Sequence, residues 1–402
     1  MAVDKKISRV GLIGISGYGR IYLQMALEHQ RRGELRLVAA VVINPEEEAA
    51  AVAELRRLEC EIFPTYEAML KQHQGALELC LIPTGIAWHT RMTLAALAAG
   101  ANVLVEKPLA CSVPEVLAIK AGAARAGRFV AVGFQDFYEP ATAWLKRELT
   151  TGAIGTVKSV RFLGMWPRPR AYFTRNNWAG RLVVEGVPVL DSPLSNAFAH
   201  FVNLSLYFAC PRFEHAADGR VRSAELLRAH EIESFDTAVV RLQTEDRVDL
   251  WLGATHACRK NRDPEITITG SAGSAHWRHE RDVRLTVAGG KTRSHRVADA
   301  NGARRAMMTT IIRRLDDPSV SICGPDLAGH HTAVIEAVSA AAKIAGVPGR
   351  LVRWVPPETP EKAVPVVEGL EASLARAYET GETLLEAGFD VGAPLGHAAG
   401  AA

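Results

Sequence analysis

The sequence predicts an α/β fold in two parts: an N-terminal doubly wound parallel sheet, then a C-terminal α+β domain with an open, mainly antiparallel sheet. Three observations predict it. A short apolar strand, Arg9 to Ile13, runs straight into the glycine-rich turn Gly14-Ile15-Ser16-Gly17-Tyr18-Gly19 and then a helical pattern. Up to about residue 135, apolar strands alternate with amphipathic segments, the order that builds parallel sheets from βαβ units. From 222 to 297, strand-like runs follow one another across Asp/Gly/Pro-rich breaks with no long helix between them, an antiparallel pattern.

Strands are expected at 8–13, 36–43, 78–82, 102–105 and 129–133. Helical patterns lie between them, as at 45–58, 66–72 and 90–99, the last ending on Gly100, which suits a helix C-terminus. Past residue 140 a helix at 141–150 leads to a long strand at 157–164, a Pro/Arg/aromatic loop, and a helix over about 195–208. Strands are expected at 222–230, 236–243, 247–254, 265–269, 273–278 and 283–287, and helices at about 328–346 and 362–386. The domain limits read as 1–135, 136–355 and a C-terminal helix with a Gly/Ala-rich tail over 356–402. The chain shows no internal repeat.

The 402 residues suit two domains, and 48% apolar against 23% charged residues is a globular balance that fills a real core. With 47 basic and 44 acidic side chains the net charge is only +3, so neither nucleic acid nor a membrane surface is an expected partner. Six scattered cysteines without a C-x-x-C pair predict neither a disulfide framework nor a zinc site; reduced thiols in a cytoplasmic protein are expected. No segment reads as a signal peptide or membrane span. Cys323, Asp326, His330 and His331 raise the question of a metal, but adjacent helical histidines point about 100° apart, so polarity at a helix start is the expected reading and no metal is expected.

The turn at 14–19 has the parts of a dinucleotide cradle. Such a loop needs Gly for the tight turn, for close phosphate approach and for helix packing. Gly14 and Gly19 hold the outer positions; Ser16 holds the middle one, with Gly17 beside it to supply backbone freedom. Ser16 can donate its hydroxyl to a phosphate, and backbone N–H groups near Tyr18 can bind the anion at the helix start. The next strand ends on Asn44 rather than on the carboxylate that usually holds the ribose, so NAD and NADP both stay open. Farther on, the strand Asn102 to Val105 runs into Glu106-Lys107-Pro108-Leu109. A lysine at the carboxyl edge of a parallel sheet that also carries a dinucleotide loop points to hydride chemistry.

With those residues the chain resembles the glucose-fructose oxidoreductase/inositol dehydrogenase/rhizopine catabolism (Gfo/Idh/MocA) family over roughly residues 6–350. Glu106-Lys107-Pro108 is the most specific mark. Ile82-Pro83-Thr84-Gly85-Ile86-Ala87-Trp88-His89 is similar to the family's Thr-Pro-x-x-x-His turn, with Gly85 in place of its Pro. Val132-Gly133-Phe134-Gln135 and Pro140 resemble its domain-crossing segment, although Asp136-Phe137 replace the usual arginines. The resemblance implies a Rossmann domain binding NAD or NADP and a second domain whose open sheet often forms an oligomer interface, hence a homodimer or homotetramer. It implies oxidation or reduction of sugars, cyclitols or related polyols. It makes Lys107 the expected catalytic residue, Glu106 and Gln135 cofactor neighbours, and Lys107-Pro108 a cis bond. Thr84 and His89 either line the cofactor or cap the helix near Thr90.

The family's Asp-x-Gly-x-His-x-x-Asp helix has its nearest match at Asn196-Ala197-Phe198-Ala199-His200-Phe201-Val202-Asn203. His200 is kept and both carboxylates are Asn. At spacings of four and three, Asn196, His200 and Asn203 are expected to share one helix face; Asp191 is the nearby carboxylate. Lys107 and His200 are then the titratable pair for proton transfer. Substrate contacts are expected from Asn196, Asn203 and the loop 166–178, chiefly Arg168, Tyr172, Asn177 and Trp178. Arg168, Arg170, Arg175 and Arg181 there bind an acidic substrate group or pair with acids of the chain itself. Thr255, His256 and Asn261 are further pocket candidates. Two other functions fit the same residues: an NAD-dependent glycosidase on this scaffold, or a non-catalytic cofactor-dependent sensor, which the two lost carboxylates favour.

Overall fold

The computed structural model describes residues 7–356 and 358–392, and the account that follows concerns those residues. The chain divides into two compact units. One holds the chain through Tyr138 together with Asn301–Gly329; the other holds Glu139–Ala300 and the chain from His330 onward.

In the first unit β1 (Ser8–Ile13), α1 (Gly19–Arg31), β2 (Leu35–Val41), α2 (Ala49–Arg57), β3 (Glu61–Phe63), α3 (Tyr66–Gln72), β4 (Leu79–Ile82), α4 (Ile86–Ala98), β5 (Asn102–Val105), α5 (Val113–Ala126) and β6 (Val130–Val132) alternate as expected. They build a six-stranded parallel sheet in the order β3-β2-β1-β4-β5-β6. This is a doubly wound sheet whose strand order reverses between β1 and β4, so its binding crevice lies at the carboxyl ends of those strands. The central strands are largely buried: Val10, Leu12, Leu79, Leu81, Val103 and Leu104 are wholly inaccessible, as strands covered by helices on both faces must be. β3 escaped the sequence reading because three residues show no period.

The sequence reading left Asn301–Gly329 in the second domain, yet it packs in the first unit. The Val132 N–H donates to the Cys323 carbonyl (2.8 Å), the Cys323 N–H donates to the Tyr138 hydroxyl (3.2 Å), and Lys120 pairs with Asp326 at 2.5 Å. These long-range contacts leave no local trace.

The second unit begins with α6 (Pro140–Thr150), β7 (Val157–Met165), the five-residue α7 (Arg170–Thr174), a small hairpin of β8 (Val183–Val184) and β9 (Val187–Pro188), and α8 (Ala199–Ala209). Then come β10 (Arg220–Arg228), β11 (Thr237–Gln243), β12 (Asp249–Thr255), β13 (Arg262–Gly270), β14 (Gly273–Arg278), β15 (Asp282–Val287) and β16 (Thr292–Arg296). Helices α9 (Ala300–Asp316) and α10 (Pro325–Ala341) carry the chain across the division. β17 (Ile344–Gly346), the hairpin β18 (Val352–Val355) and β19 (Val364–Val367), and α11 (Leu370–Thr380) follow.

Nine strands form one sheet in the order β16-β15-β14-β13-β7-β12-β11-β10-β17; the β7–β12 and β10–β17 pairs are parallel and the rest antiparallel. Neighbours on β7 point to opposite faces. Phe162 packs on Phe198 and Phe201 beside α8. Leu163 joins Trp251, Leu370, Leu374, Tyr378, Leu384 and Phe389 under α11. The chain's own C-terminal segment therefore covers that second face over β7, β10, β11 and β12. All eleven residues of α8 are buried, so it is a central helix enclosed on every side, with His200, Asn203 and Ser205 among its mostly apolar residues.

Two expectations need correction here, and two elements were not expected. The region 362–386 is not one helix: Pro365 and the valines around it make β19, and Gly369, at φ 81°, starts α11. The helix expected over 328–346 stops at Ala341, and Ile344–Gly346 adds a strand beside β10. α9 was not foreseen because its arginines dilute the apolar stripe of Met307, Met308, Ile311 and Ile312. β16 was missed because all five of its residues are exposed, leaving no alternation to read.

Candidate functional site

The glycine turn builds the first part of the site. Gly14 (φ 92°) and Gly17 (φ 55°) are in the left-handed region that disfavours side chains. The Gly19 N–H donates to the Ser16 carbonyl at 2.9 Å, and a Cβ on Gly19 would sit 2.5 Å from the Gly14 carbonyl oxygen. Gly19 thus lets α1 press against the strand turn, while a Cβ on Gly17 would meet nothing within 4 Å. Ser16, Gly17 and Tyr18 are exposed at the start of the 13-residue helix α1. A tight, open turn of small residues at a helix N-terminus fits the pyrophosphate of a dinucleotide. Asn44, just past β2, receives the Ser16 hydroxyl at 3.1 Å.

The second part follows β5. Lys107 is half-buried and the Lys107-Pro108 bond is cis. Beneath it, Glu106 is 6% exposed and accepts a hydrogen bond from the Tyr22 hydroxyl at 2.8 Å. Gly133 is what lets this pair fit: a Cβ there would lie 2.2 Å from Glu106 Oε2 and 2.7 Å from the Tyr22 hydroxyl. Burial pushes the Glu106 carboxyl up to about 7; Lys107 and the Tyr22 bond oppose the rise without cancelling it. Tyr22, one helical turn after Tyr18, was not foreseen; among the apolar residues of α1 it reads as core.

His89 is not at the helix start. α4 begins at Ile86, and His89 is buried inside it, with Nδ1 2.7 Å from the Pro108 carbonyl oxygen and Nε2 3.0 Å from that of Thr84. A neutral ring donates to one carbonyl only, and burial holds the imidazole below its ordinary value, with Lys107 pushing the same way. His89 therefore ties the loop after β5 to the loop after β4. Gln135 is buried, with its Oε1 3.5 Å from the Tyr18 hydroxyl.

The residues expected to touch substrate lie in the second unit. α8 starts at Ala199, so Asn196 precedes the helix instead of sharing its face with His200 and Asn203. Asn196 Nδ2 donates to Asp191 Oδ1 at 2.9 Å, and Asp191 Oδ2 accepts the Gly180 N–H at 2.6 Å. Asp191 thus restores a carboxylate beside the first Asn. His200 and Asn203 are buried on α8.

In the loop after β7, Arg168 rests 4.9 Å from the Tyr172 ring centre and Arg175 3.6 Å from it, and Arg175 also lies 5.2 Å from the Trp178 ring. Arg170 stacks on Trp354 at 3.9 Å and approaches Glu231 at 3.8 Å, while Arg181 pairs with Glu233. Two of the four arginines thus face acids of the chain itself. Asn177 is exposed and Trp178 half-buried.

Two buried histidines hold the start of this loop: His230 Nε2 lies 3.0 Å from the Arg168 carbonyl oxygen and His256 Nδ1 2.8 Å from that of Trp166. Asp236, fully buried, accepts from His230 Nδ1 (2.7 Å) and from the N–H groups of Ala229 (2.8 Å) and His230 (2.7 Å). Burial works against its charge, but the bonds from His230 outweigh that and keep the carboxyl below its ordinary value. Burial drives His256 down to about 3. His256 and Thr255, whose hydroxyl meets that of Thr237 at 2.7 Å, are thus taken up in holding the scaffold, and Asn261 donates to Asp263.

Residues 8–134 match the family described as "Oxidoreductase family, NAD-binding Rossmann fold". An inositol 2-dehydrogenase of Pseudomonas fluorescens strain SBW25 is 32% identical over 148 residues, 37% of this chain and 43% of that protein. That match thus spans less than half of the relative's length. An inositol 2-dehydrogenase of Pseudomonas fluorescens strain Pf-5 is 31% identical over 283 residues, 70% of this chain and 77% of the relative. The chain belongs to the Gfo/Idh/MocA oxidoreductase family. The fold of this Gfo/Idh/MocA member agrees with the crystal structure of an inositol dehydrogenase homolog complexed with NAD+ from Azotobacter vinelandii. The TM-score is 0.70 at 16% identity, covering 84% of this chain and 96% of that one. Its first unit is accordingly an NAD-binding Rossmann domain. Among the described residues no helix is long and apolar enough to cross a membrane.

Proposed function

We propose that this protein is an NAD(P)-dependent dehydrogenase or reductase acting on a secondary alcohol or carbonyl of a sugar, cyclitol or related polyol. The carrying observation is Lys107 at the carboxyl end of β5, in the same unit as the glycine turn of α1 and backed by the buried Tyr22–Glu106 pair. A bound nicotinamide supplies the hydride acceptor or donor. Lys107 takes the alcohol proton, or gives one to the carbonyl in reverse. Glu106, pinned by Tyr22, sets the charge beside that amine, and His89 holds the loop through the Pro108 carbonyl. His200 assists the proton transfer, and Arg168, Tyr172, Asn177, Trp178, Asn196 and Asn203 orient the substrate's hydroxyls. Gly14, Ser16, Gly17, Tyr18, Gly19, Asn44, Thr84, Glu106 and Gln135 hold the cofactor. Asp191 beside Asn196 speaks against the sensor alternative, since it leaves that corner with a carboxylate.

A cytoplasmic location agrees with six buried, unbridged cysteines. Self-association as a homodimer or homotetramer remains part of the proposal and is read directly by sedimentation. The chain's own residues under α11 cover only the β7, β10, β11 and β12 part of that sheet face, and β16 is exposed throughout, so the outer strands are the part of the sheet that could serve. The deciding experiment follows reduced-nicotinamide absorbance on mixing the protein with inositols and a polyol panel, beside Lys107→Met. Turnover with at least one substrate, lowered more than about 100-fold in the variant with dinucleotide binding intact, is expected. Full activity in Lys107→Met removes the lysine from the mechanism.

A further inference from the structure

The segment after β2 carries a charge arrangement that decides between the two nicotinamide dinucleotides. No carboxylate ends the strand: the chain reads Ile43-Asn44-Pro45 and then three consecutive glutamates, 46 to 48, before α2. The Asn44 side chain is engaged at both ends. Its Oδ1 accepts the Ser16 hydroxyl (3.1 Å), and its Nδ2 donates to Glu47 Oε2 (2.7 Å). One amide therefore links the glycine turn to a carboxylate that is exposed to an incoming ligand. Glu48 lies alongside, buried, and its Oε1 takes the Arg20 guanidinium at 2.9 Å. Arg20 is the first basic residue of α1, and Glu48 already neutralises it. Two carboxylates thus stand against one guanidinium just beyond β2.

In a doubly wound dinucleotide fold the adenosine ribose is held just past this strand. A carboxylate there accepts from its hydroxyls, whereas a 2′-phosphate requires an available arginine. We infer that Glu47, oriented by Asn44, is the group that holds the ribose hydroxyls and repels a 2′-phosphate, so that this protein takes NAD in preference to NADP. The acid sits three residues beyond its usual place, and the Asn44 amide carries it back toward the glycine turn. Ile43, 84% exposed in the same segment, offers an apolar surface beside it. A carboxylate about 6 Å from a phosphate dianion, in a partly solvated site, weakens binding about 10- to 100-fold. The effect shrinks with added salt.

The inference rests on the dinucleotide reading above, and calorimetric titration of the full chain with NAD+ and with NADP+ tests the two separately. NAD+ is expected to bind about 10- to 100-fold tighter, with the ratio falling between low salt and 0.5 M KCl. Glu47→Gln keeps the shape and removes the charge. It is expected to narrow the ratio about 10-fold, mainly through tighter NADP+. Glu48→Gln frees Arg20 and should shift the ratio the same way. Melting temperatures of both variants serve as the fold control: Glu47 is an exposed side chain of the turn, whereas Glu48 is buried against Arg20. NADP+ binding as tightly as NAD+ overturns the inference while leaving the dinucleotide site intact. An unchanged ratio in Glu47→Gln removes Glu47 as the selecting group. Failure of both dinucleotides to bind removes the dinucleotide reading itself, and this inference with it.

Discussion

Replacing Tyr22 with Phe isolates the buried pair beneath Lys107. The Tyr22 hydroxyl is 2.8 Å from Glu106 Oε2, and the two residues are 1% and 6% exposed. Burial, the largest influence, lifts the Glu106 carboxyl from 4.5 to about 7. The folded protein therefore keeps a proton that the unfolded chain sheds between those values. The stability this contributes is complete below pH 4.5 and is lost as the pH rises through 7. That gap corresponds to about 3 kcal/mol. A hydrogen bond to an ionised acceptor is worth about 1.5–3 kcal/mol and one between neutral groups about 0.5–1.5 kcal/mol. Tyr22→Phe should thus cost about 2 kcal/mol at pH 8.5, where Glu106 is mostly ionised, and about 1 kcal/mol at pH 5.5, where it is not. Because the Tyr22 bond lowers the carboxyl's value, its loss should also push the downward slope of stability to higher pH. Urea unfolding of the wild type, Tyr22→Phe and Glu106→Gln at pH 5.5, 7 and 8.5 measures all three effects. Equal penalties at both ends of the range, or a wild-type slope surviving in Glu106→Gln, would refute the reasoning.

Gly19→Ala places a Cβ 2.5 Å from the Gly14 carbonyl oxygen; the turn must open, and the rise in melting temperature on adding dinucleotide should disappear. Lys146 is wholly buried and donates to the carbonyls of Tyr207 and Cys210 at the end of α8, and burial pulls its amine down to about 7. The unfolded chain holds that proton more tightly, so wild-type stability should rise between pH 7 and 10.5. In Lys146→Met, thermal unfolding across that range should show the rise gone. Asp236→Ala strips three N–H donors of their acceptor inside the second unit. It should cost about 3–5 kcal/mol in urea unfolding and speed tryptic cleavage after Arg170 and Arg175, because His230 no longer fixes the Arg168 carbonyl.

Short-range order was legible in the chain itself. The glycine turn, the alternation of strand and helix up to residue 135, and the consecutive strands from 222 onward each follow from local rules of turn geometry and hydrophobic period. Lys107 was legible for the same reason: it follows an apolar strand, and strands of a parallel sheet end at the ligand edge. What depends on distant partners was not. Tyr22 looked like core until Gly133, more than a hundred residues later, left room for it against Glu106. Asp191 had no place until it met Asn196 and Gly180. Glu47, past β2, meets Asn44 through a side-chain bridge that no motif spacing encodes. Residues 301–329 joined the first unit through bonds to Val132 and Tyr138. Period and turn chemistry act over a few neighbouring residues, so the sequence alone determined the elements and the edge where chemistry gathers. Which side chains meet there depends on packing between segments far apart in the chain, and only the tertiary structure decided that.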